Sequence, residues 1–283
     1  MTQISQAPYV IAFTQGSSGR FAKYLLYNLL TDASVELDPC PITNSTHSND
    51  KEVYTGYRHI REDSELIAGG VNNPNIFKIF KFDDPPEDPD APKILCGHVF
   101  PDFKLIKDRF GPDAKIIIIT INPHDIKEVV VNDKVKNYYD ILTGNSRHLH
   151  NPNVVHELLK RYERFLGKKY PGTYVKSDII QIAKSVATEN LGHFVNRLLG
   201  NPTKDTDCDY RIGQYLILPK DIDYPADQIL FLPYSEIANY TDNGYVWLNK
   251  LEEFTGKKAN TVTIESYQKY IDGRWKLLKE YRF

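Results

Sequence analysis

Pro8-Tyr-Val-Ile-Ala-Phe-Thr-Gln-Gly-Ser-Ser-Gly-Arg-Phe-Ala-Lys-Tyr-Leu-Leu-Tyr-Asn-Leu-Leu30 reads as a strand, a tight polar loop and a helix. Tyr9 to Phe13 is a short apolar run rich in β formers, as a buried parallel strand requires. Gln15-Gly16-Ser17-Ser18-Gly19 breaks that run; its glycines permit positive φ and its serines can cap a helix. From Phe21 the apolar residues recur at 21, 22, 25, 26, 29 and 30, which is helical spacing. A Gly/Ser loop between a buried strand and a helix start turns backbone N–H groups outward, where the helix dipole also favours an anion. Phosphate or sulfate is the natural ligand of such a loop. An ordinary strand-to-helix turn with a serine cap is the plainer reading of the same residues. The loop is neither G-x-x-x-x-G-K-[ST] nor G-x-G-x-x-G, because Gly16 and Gly19 are too close and no Lys-Ser/Thr pair follows.

The rest of the chain repeats the alternation of strand and helix. Lys93 to Val99 reads as a strand ending in Gly97-His98, and Asp102 to Phe110 as a short amphipathic helix stopped by Gly111-Pro112. Lys115-Ile-Ile-Ile-Ile-Thr120 is the most apolar run; four residues branched at Cβ predict a central parallel strand buried on both faces. It stops at Asn122-Pro123-His124-Asp125, a turn by its chemistry, with a helix expected from about Asp125. Further helices are predicted over 153–166 and 177–199, ended by Gly167 and Gly200, then over 246–254 and from about Ile264 toward Tyr281. Short strands are predicted over 77–82, 215–218 and 228–232. The segment 51–69 has room for a short helix, and 83–92, with four prolines, can be neither helix nor central strand. The expected fold class is α/β, a mostly parallel sheet with helices on both faces. No linker divides the chain, so one domain is expected over 1–283, with a loop-rich insertion around 37–92.

The composition excludes several function classes. The chain has 283 residues, 41% hydrophobic and 25% charged, in the ordinary range for a globular protein with a sizeable core. A net charge of −2 gives no general electrostatic case for nucleic acid or an anionic membrane as partner. No run approaches a membrane-spanning length, and Met1 to Gln6 lacks the basic and apolar regions of a signal peptide. Cys40, Cys96 and Cys208 are odd in number and far apart, which suggests free thiols in a reducing compartment and a cytoplasmic location. No metal site is expected: His148, His150 and His156 are close in sequence without a recognised ligand spacing.

Three pieces, in this order, resemble the sulfotransferase family, whose members take a sulfuryl group from 3′-phosphoadenosine 5′-phosphosulfate (PAPS) on an α/β fold like that of the P-loop nucleotide hydrolases. The strand–loop–helix of 8–30 is similar in place and length to that family's 5′-phosphosulfate loop. Asp113-Ala-Lys-Ile-Ile-Ile-Ile-Thr-Ile-Asn-Pro-His-Asp125 resembles the family's DAK-I-I-x-x-x-R-N-P-x-D strand and turn. Ile229-Leu-Phe-Leu-Pro-Tyr-Ser-Glu-Ile237 with Trp247-Leu-Asn-Lys-Leu-Glu-Glu-Phe-Thr-Gly256 resembles its late Y-E-D-L strand and I-x-x-F-L-G helix. The resemblance implies PAPS, or its product PAP, as co-substrate and a hydroxyl or amine on a small molecule or glycan as acceptor. It places Gly16, Ser17, Ser18, Gly19, Arg20 and Phe21 around the 5′ group, and Asn122 and His124 at the turn. His124 is then a 3′-phosphate contact or simply a solvated turn residue.

The departures from the family pattern concern charge. The lysine expected before the loop's Ser-Gly is Ser17, the arginine expected at the turn is Ile121, and the serine eight residues later is Val129. Arg20, directly after Gly19, supplies one cation to the loop and is the expected charge stabiliser. Gly273-Arg-Trp-Lys276 resembles the family's C-terminal Gly-Asp-Trp-Lys segment, so Arg274 or Lys276 is the expected substitute at the 3′-phosphate, an exposed turn of the last helix being the alternative. His98, at a strand end, matches in place the base of several branches of the family, with a backbone-bonded strand-end histidine as the bland reading. Two further readings remain open: a non-catalytic relative acting through a binding partner, and a kinase-like transferase using a nucleoside triphosphate, which the absent G-K-[ST] disfavours.

Overall fold

A computed structural model describes residues 8–14, 16–32, 94–97, 100–131, 152–173, 175–198 and 222–280. The predicted strands at 77–82 and 215–218, the segments 51–69 and 83–92, and His98, His148 and His150 lie outside the described residues.

Strand β1 (Tyr9–Ala12) leads into helix α1 (Gly19–Thr31), as the first stretch predicts. Strand β2 (Ile94–Gly97) is followed by α2 (Phe103–Phe110), whose start is capped by Asp102: its carboxylate accepts from the Leu105 N–H at 3.0 Å. Strand β3 (Lys115–Thr120) buries all four isoleucines. A single 3₁₀ turn (Pro123–Asp125) follows, and the chain is helical again over 126–131. Helices α3 (Pro152–Leu166) and α4 (Lys176–Leu198) pack on each other. Strand β4 (Ile229–Pro233), the two-residue strands β5 (Tyr240–Thr241) and β6 (Gly244–Tyr245), α5 (Val246–Thr255) and α6 (Thr261–Glu280) complete the chain.

The four longer strands form one parallel sheet in the order β2-β1-β3-β4. Tyr9 stands beside Ile94 on one side and Lys115 on the other, and Ile116 stands beside Ile229. Strands β1, β2 and β3 are apolar without alternation because helices flank the sheet and leave no wet face. Helix α1 packs on β1 and β2, and α5 packs on β4 and on α1. The early α/β expectation holds at this level.

The late segments are fastened to the sheet by long side chains whose polar ends find backbone partners. Lys115 Nζ donates to the Phe254 carbonyl at 2.7 Å, tying the start of β3 to the end of α5. The wholly buried Trp247 donates its Nε1–H to the Pro233 carbonyl, also at 2.7 Å, and Tyr267 donates its hydroxyl to the Ile237 carbonyl. Tyrosine and tryptophan suit this use, since each buries a ring yet needs one partner for its polar tip. The many tyrosines of the chain are in part accounted for this way.

Candidate functional site

The order β2-β1-β3-β4 places a change of direction between β1 and β3. The chain goes from β1 to a neighbour on one side, then returns to build the other side. In open α/β sheets, ligands bind outside the carboxyl ends of the strands at such a point. Here those ends are the loop after β1 and the turn after β3.

The loop after β1 is built residue by residue. Phe13 N–H donates to the Gly97 carbonyl at 3.0 Å, carrying the β1–β2 pairing one step beyond the strands. Thr14 then ends it: its carbonyl accepts from Ser17 N–H at 3.2 Å and from Ser17 Oγ at 2.7 Å. Gly16, with φ of 84°, makes that reversal without a Cβ penalty. Ser18 follows with φ 70° and ψ 22°, a left-handed conformation that serine adopts at a cost. Ser18 carbonyl accepts the first helical bond, from Ala22 N–H at 3.0 Å. The N–H groups of Gly19, Arg20 and Phe21 therefore lie in the first turn of α1. Ser18 is the N-cap by position, yet its hydroxyl does not cap. The left-handed backbone turns the side chain away from its own helix, and it accepts instead from Tyr270 Oη of α6 at 2.8 Å.

Two aromatic rings shape the same corner. The Phe13 ring lies on Gly19 so closely that a Cβ there would stand 2.0 Å from ring carbon Cγ. Gly19 is thus demanded by Phe13 rather than by a ligand's approach. Phe21, expected beside the 5′ group, is wholly buried: its ring stacks on Tyr270 with centroids 3.8 Å apart and meets Tyr267 edge-on. Its side chain is core, which leaves only its backbone N–H to the loop. Ser17 is likewise buried, with hydroxyl and N–H both turned onto Thr14. Among the expected residues, Gly16, Ser18 and Arg20 are the half-exposed ones.

The turn after β3 is held by a reciprocal cap. Asn122 N–H donates to Asp125 Oδ2 at 3.1 Å, and the Asn122 side chain accepts from the Asp125 N–H. Asn122 Nδ2 also donates to Ser235 Oγ at 3.0 Å, joining the carboxyl ends of β3 and β4. Tyr234 Oη donates to Glu128 Oε1 at 2.9 Å, reinforcing that join. His124 is 73% exposed, with Nε2 3.4 Å from Asp125 Oδ1. Ile121 and Val129 are core residues.

The structure brings Gly16 to Phe21 together with Asn122 and His124 only in the sense that their strands are neighbours. Arg274 and Lys276 belong to the backbone of α6, with Arg274 one turn beyond Tyr270. His98 directly follows Gly97 of β2, outside the described residues.

Four residues escaped the sequence reading. Phe13 and Tyr270 shape the loop from outside it, and no local pattern announces a partner on α6. Thr14 is fully buried, and its Oγ1 has no hydrogen-bond partner among the described residues. Such a hydroxyl costs about 1–3 kcal/mol. Lys23 sits nearly buried on the apolar side of α1. Burial pushes the Cys96 thiol up to about 11, while the Lys23 and Arg20 charges pull the other way, which sets both cations within reach of β2. Farther along, burial and the nearby charge of Lys127 hold the Lys184 ammonium below its usual value. Among the described residues no group of three or more His, Cys, Asp or Glu could hold a metal, and no helix is long and apolar enough to cross a membrane.

No known family model matches this chain, and no curated protein matches it.

Proposed function

We propose that the chain is a sulfotransferase-like protein whose crevice between β1 and β3 takes the 5′ anionic group of PAPS or PAP. The observation that carries the reading is the amino terminus of α1 at the directional change of the sheet, with Arg20 in its first turn. Backbone N–H groups and a dipole of the right sign meet a cation there.

In the transfer itself, the acceptor oxygen or nitrogen attacks the sulfur of PAPS. The bond from sulfur to the 5′-phosphate oxygen breaks, PAP leaves with that electron pair, and the acceptor's proton passes to a base. His98 is the candidate base, following the last residue of β2. Such a reaction rests on positioning and on stabilising charge at the leaving oxygen, the task assigned to Arg20 and the α1 amides.

A second reading has its own support. Ser17 spends its hydroxyl on Thr14, and Ile121 and Val129 are core, so the family's usual cationic and polar contacts have no counterpart at these positions. A non-catalytic relative that binds a partner fits those facts.

One titration separates the readings. The unfolding midpoint is measured with PAP, ATP, GTP and no ligand. A ligand at 100 times its dissociation constant adds about 2.7 kcal/mol of stability. Stabilisation by PAP alone is expected; stabilisation by ATP or GTP instead points to a nucleoside triphosphate, and none at all to the non-catalytic relative. Arg20→Ala is expected to weaken PAP by about 10-fold or more, because a charged hydrogen bond is worth roughly 1.5–3 kcal/mol. Equal affinity of variant and parent by calorimetry removes Arg20 from the site.

A further inference from the structure

We infer that Tyr270 is a positioning residue for the anion-binding loop, an inference that rests on the reading of that loop given above. Ser18 is one of two described non-glycine residues with positive φ, and the other, Asp32, lies at the far end of the same helix. A left-handed serine reverts to a commoner conformation unless its surroundings hold it. One contact that holds Ser18 comes from 252 positions away: the Tyr270 hydroxyl donates to its Oγ at 2.8 Å.

Tyr270 is itself immobile. It is 1% exposed, and its ring stacks on Phe21 at 3.8 Å with the planes 10° apart. Phe21 in turn meets Tyr267, whose own hydroxyl is anchored on the Ile237 carbonyl at 2.7 Å. Burial raises the Tyr267 phenol well above its ordinary value, so that anchor keeps its proton at any physiological pH. From the carboxyl end of β4, a rigid chain of contacts thus runs through Ile237, Tyr267, Phe21 and Tyr270 to Ser18. Its last link selects the backbone conformation from which the Gly19, Arg20 and Phe21 amides start. Phe13 against Gly19 is a second contact on the loop. The local sequence Gly-Ser-Ser-Gly therefore defines this loop only together with Phe13 and α6.

The chemical role differs from that of a contact residue. Tyr270 is assigned no contact with ligand or reacting atoms. Its hydroxyl helps set the direction of the loop amides, so removing one oxygen atom takes away this hold on Ser18 while the stacked ring remains.

Tyr270→Phe isolates that oxygen. Two measurements on the full chain test it. The first is amide hydrogen exchange without ligand. Faster exchange over 17–21 is expected in Tyr270→Phe, with unchanged rates in β3 and α5. The second is PAP affinity by calorimetry, expected to fall about 3- to 10-fold, as the loss of one neutral hydrogen bond implies. In the double variant Tyr270→Phe/Ser18→Gly, glycine is at home with positive φ, so affinity is expected to recover toward the parent. General loosening of the fold would not be rescued by a glycine. Unchanged loop exchange in Tyr270→Phe overturns the inference, as does a double variant no better than the single. If the parent chain ignores PAP, the functional reading fails by itself, and the exchange measurement still decides whether Tyr270 sets the loop.

Discussion

Replacing Gly19 by alanine is the sharpest single test of how the loop is built. At an ordinary first helical position the change helps: alanine is favoured over glycine by up to about 1 kcal/mol within a helix. Gly19 has no positive φ to defend, so backbone strain does not oppose the change. Only Phe13 does. The added Cβ would lie 2.0, 2.1 and 2.2 Å from Phe13 Cγ, Cδ2 and Cδ1, where 3.0 Å is the practical lower limit. Reaching that limit needs a shift of about 1 Å. These atoms are the root of the ring, not a flexible tip, and Phe13 is buried. Overpacking of a core costs about 1–3 kcal/mol, and a rigid ring belongs at the upper end. After the helix gain is subtracted, Gly19→Ala is expected to destabilise by about 2 kcal/mol. In urea with a slope of about 3 kcal/mol/M, the midpoint falls by about 0.7 M with the slope unchanged. Phe13→Ala in the alanine background removes the three clashing ring carbons, and the cycle is expected to show a favourable coupling of at least about 0.5 kcal/mol. A neutral or stabilising Gly19→Ala, or additive effects in the cycle, would refute the account of why glycine stands there.

Three further outcomes are expected. Cys96, with its thiol raised to about 11 chiefly by burial, is about one part in a thousand thiolate at pH 8; it should resist iodoacetamide until the protein unfolds, and rapid labelling of the native chain would contradict its burial. Burial raises the Asp178 carboxyl, but hydrogen bonds from Lys168 and Tyr162 outweigh this and leave it lowered, so its stabilising effect is present above the ordinary carboxyl value of 3.8 and lost as pH falls through the folded value. The gap in urea midpoint between parent and Asp178→Asn should be steady from pH 7 to about pH 5 and shrink below about pH 4; a gap unchanged down to pH 2 would dismiss the ionised pair. Ile121→Arg, which restores the resembled family's residue type, should destabilise by several kcal/mol rather than improve PAP binding, because position 121 is 3% exposed and offers the guanidinium no water; tighter PAP binding with intact stability would show that this side chain can reach the crevice.

Strand and helix were legible wherever the cause was local. The isoleucines of β3 are too apolar and too branched for anything but a strand covered on both faces, and Asp102, Gly111 and Gly167 mark helix ends through groups within one turn. The parallel sheet follows, since strands separated by helices cannot pair as hairpins. The loop at 16–19 was also legible as a break with two glycines. What packs around its residues was not legible: the Phe21 side chain is core, leaving its backbone N–H to the loop, and an aromatic ring six positions earlier explains Gly19.

Sequence alone determined the succession of elements and the carboxyl-end location of any crevice, because periodicity, capping and turn chemistry act over a few residues. The strand order β2-β1-β3-β4, the join between Asn122 and Ser235, and the grip of Tyr270 on Ser18 were decided only in three dimensions. Each depends on which apolar faces find each other on collapse. That choice pairs residues 85 or more positions apart, and no short-range pattern encodes it.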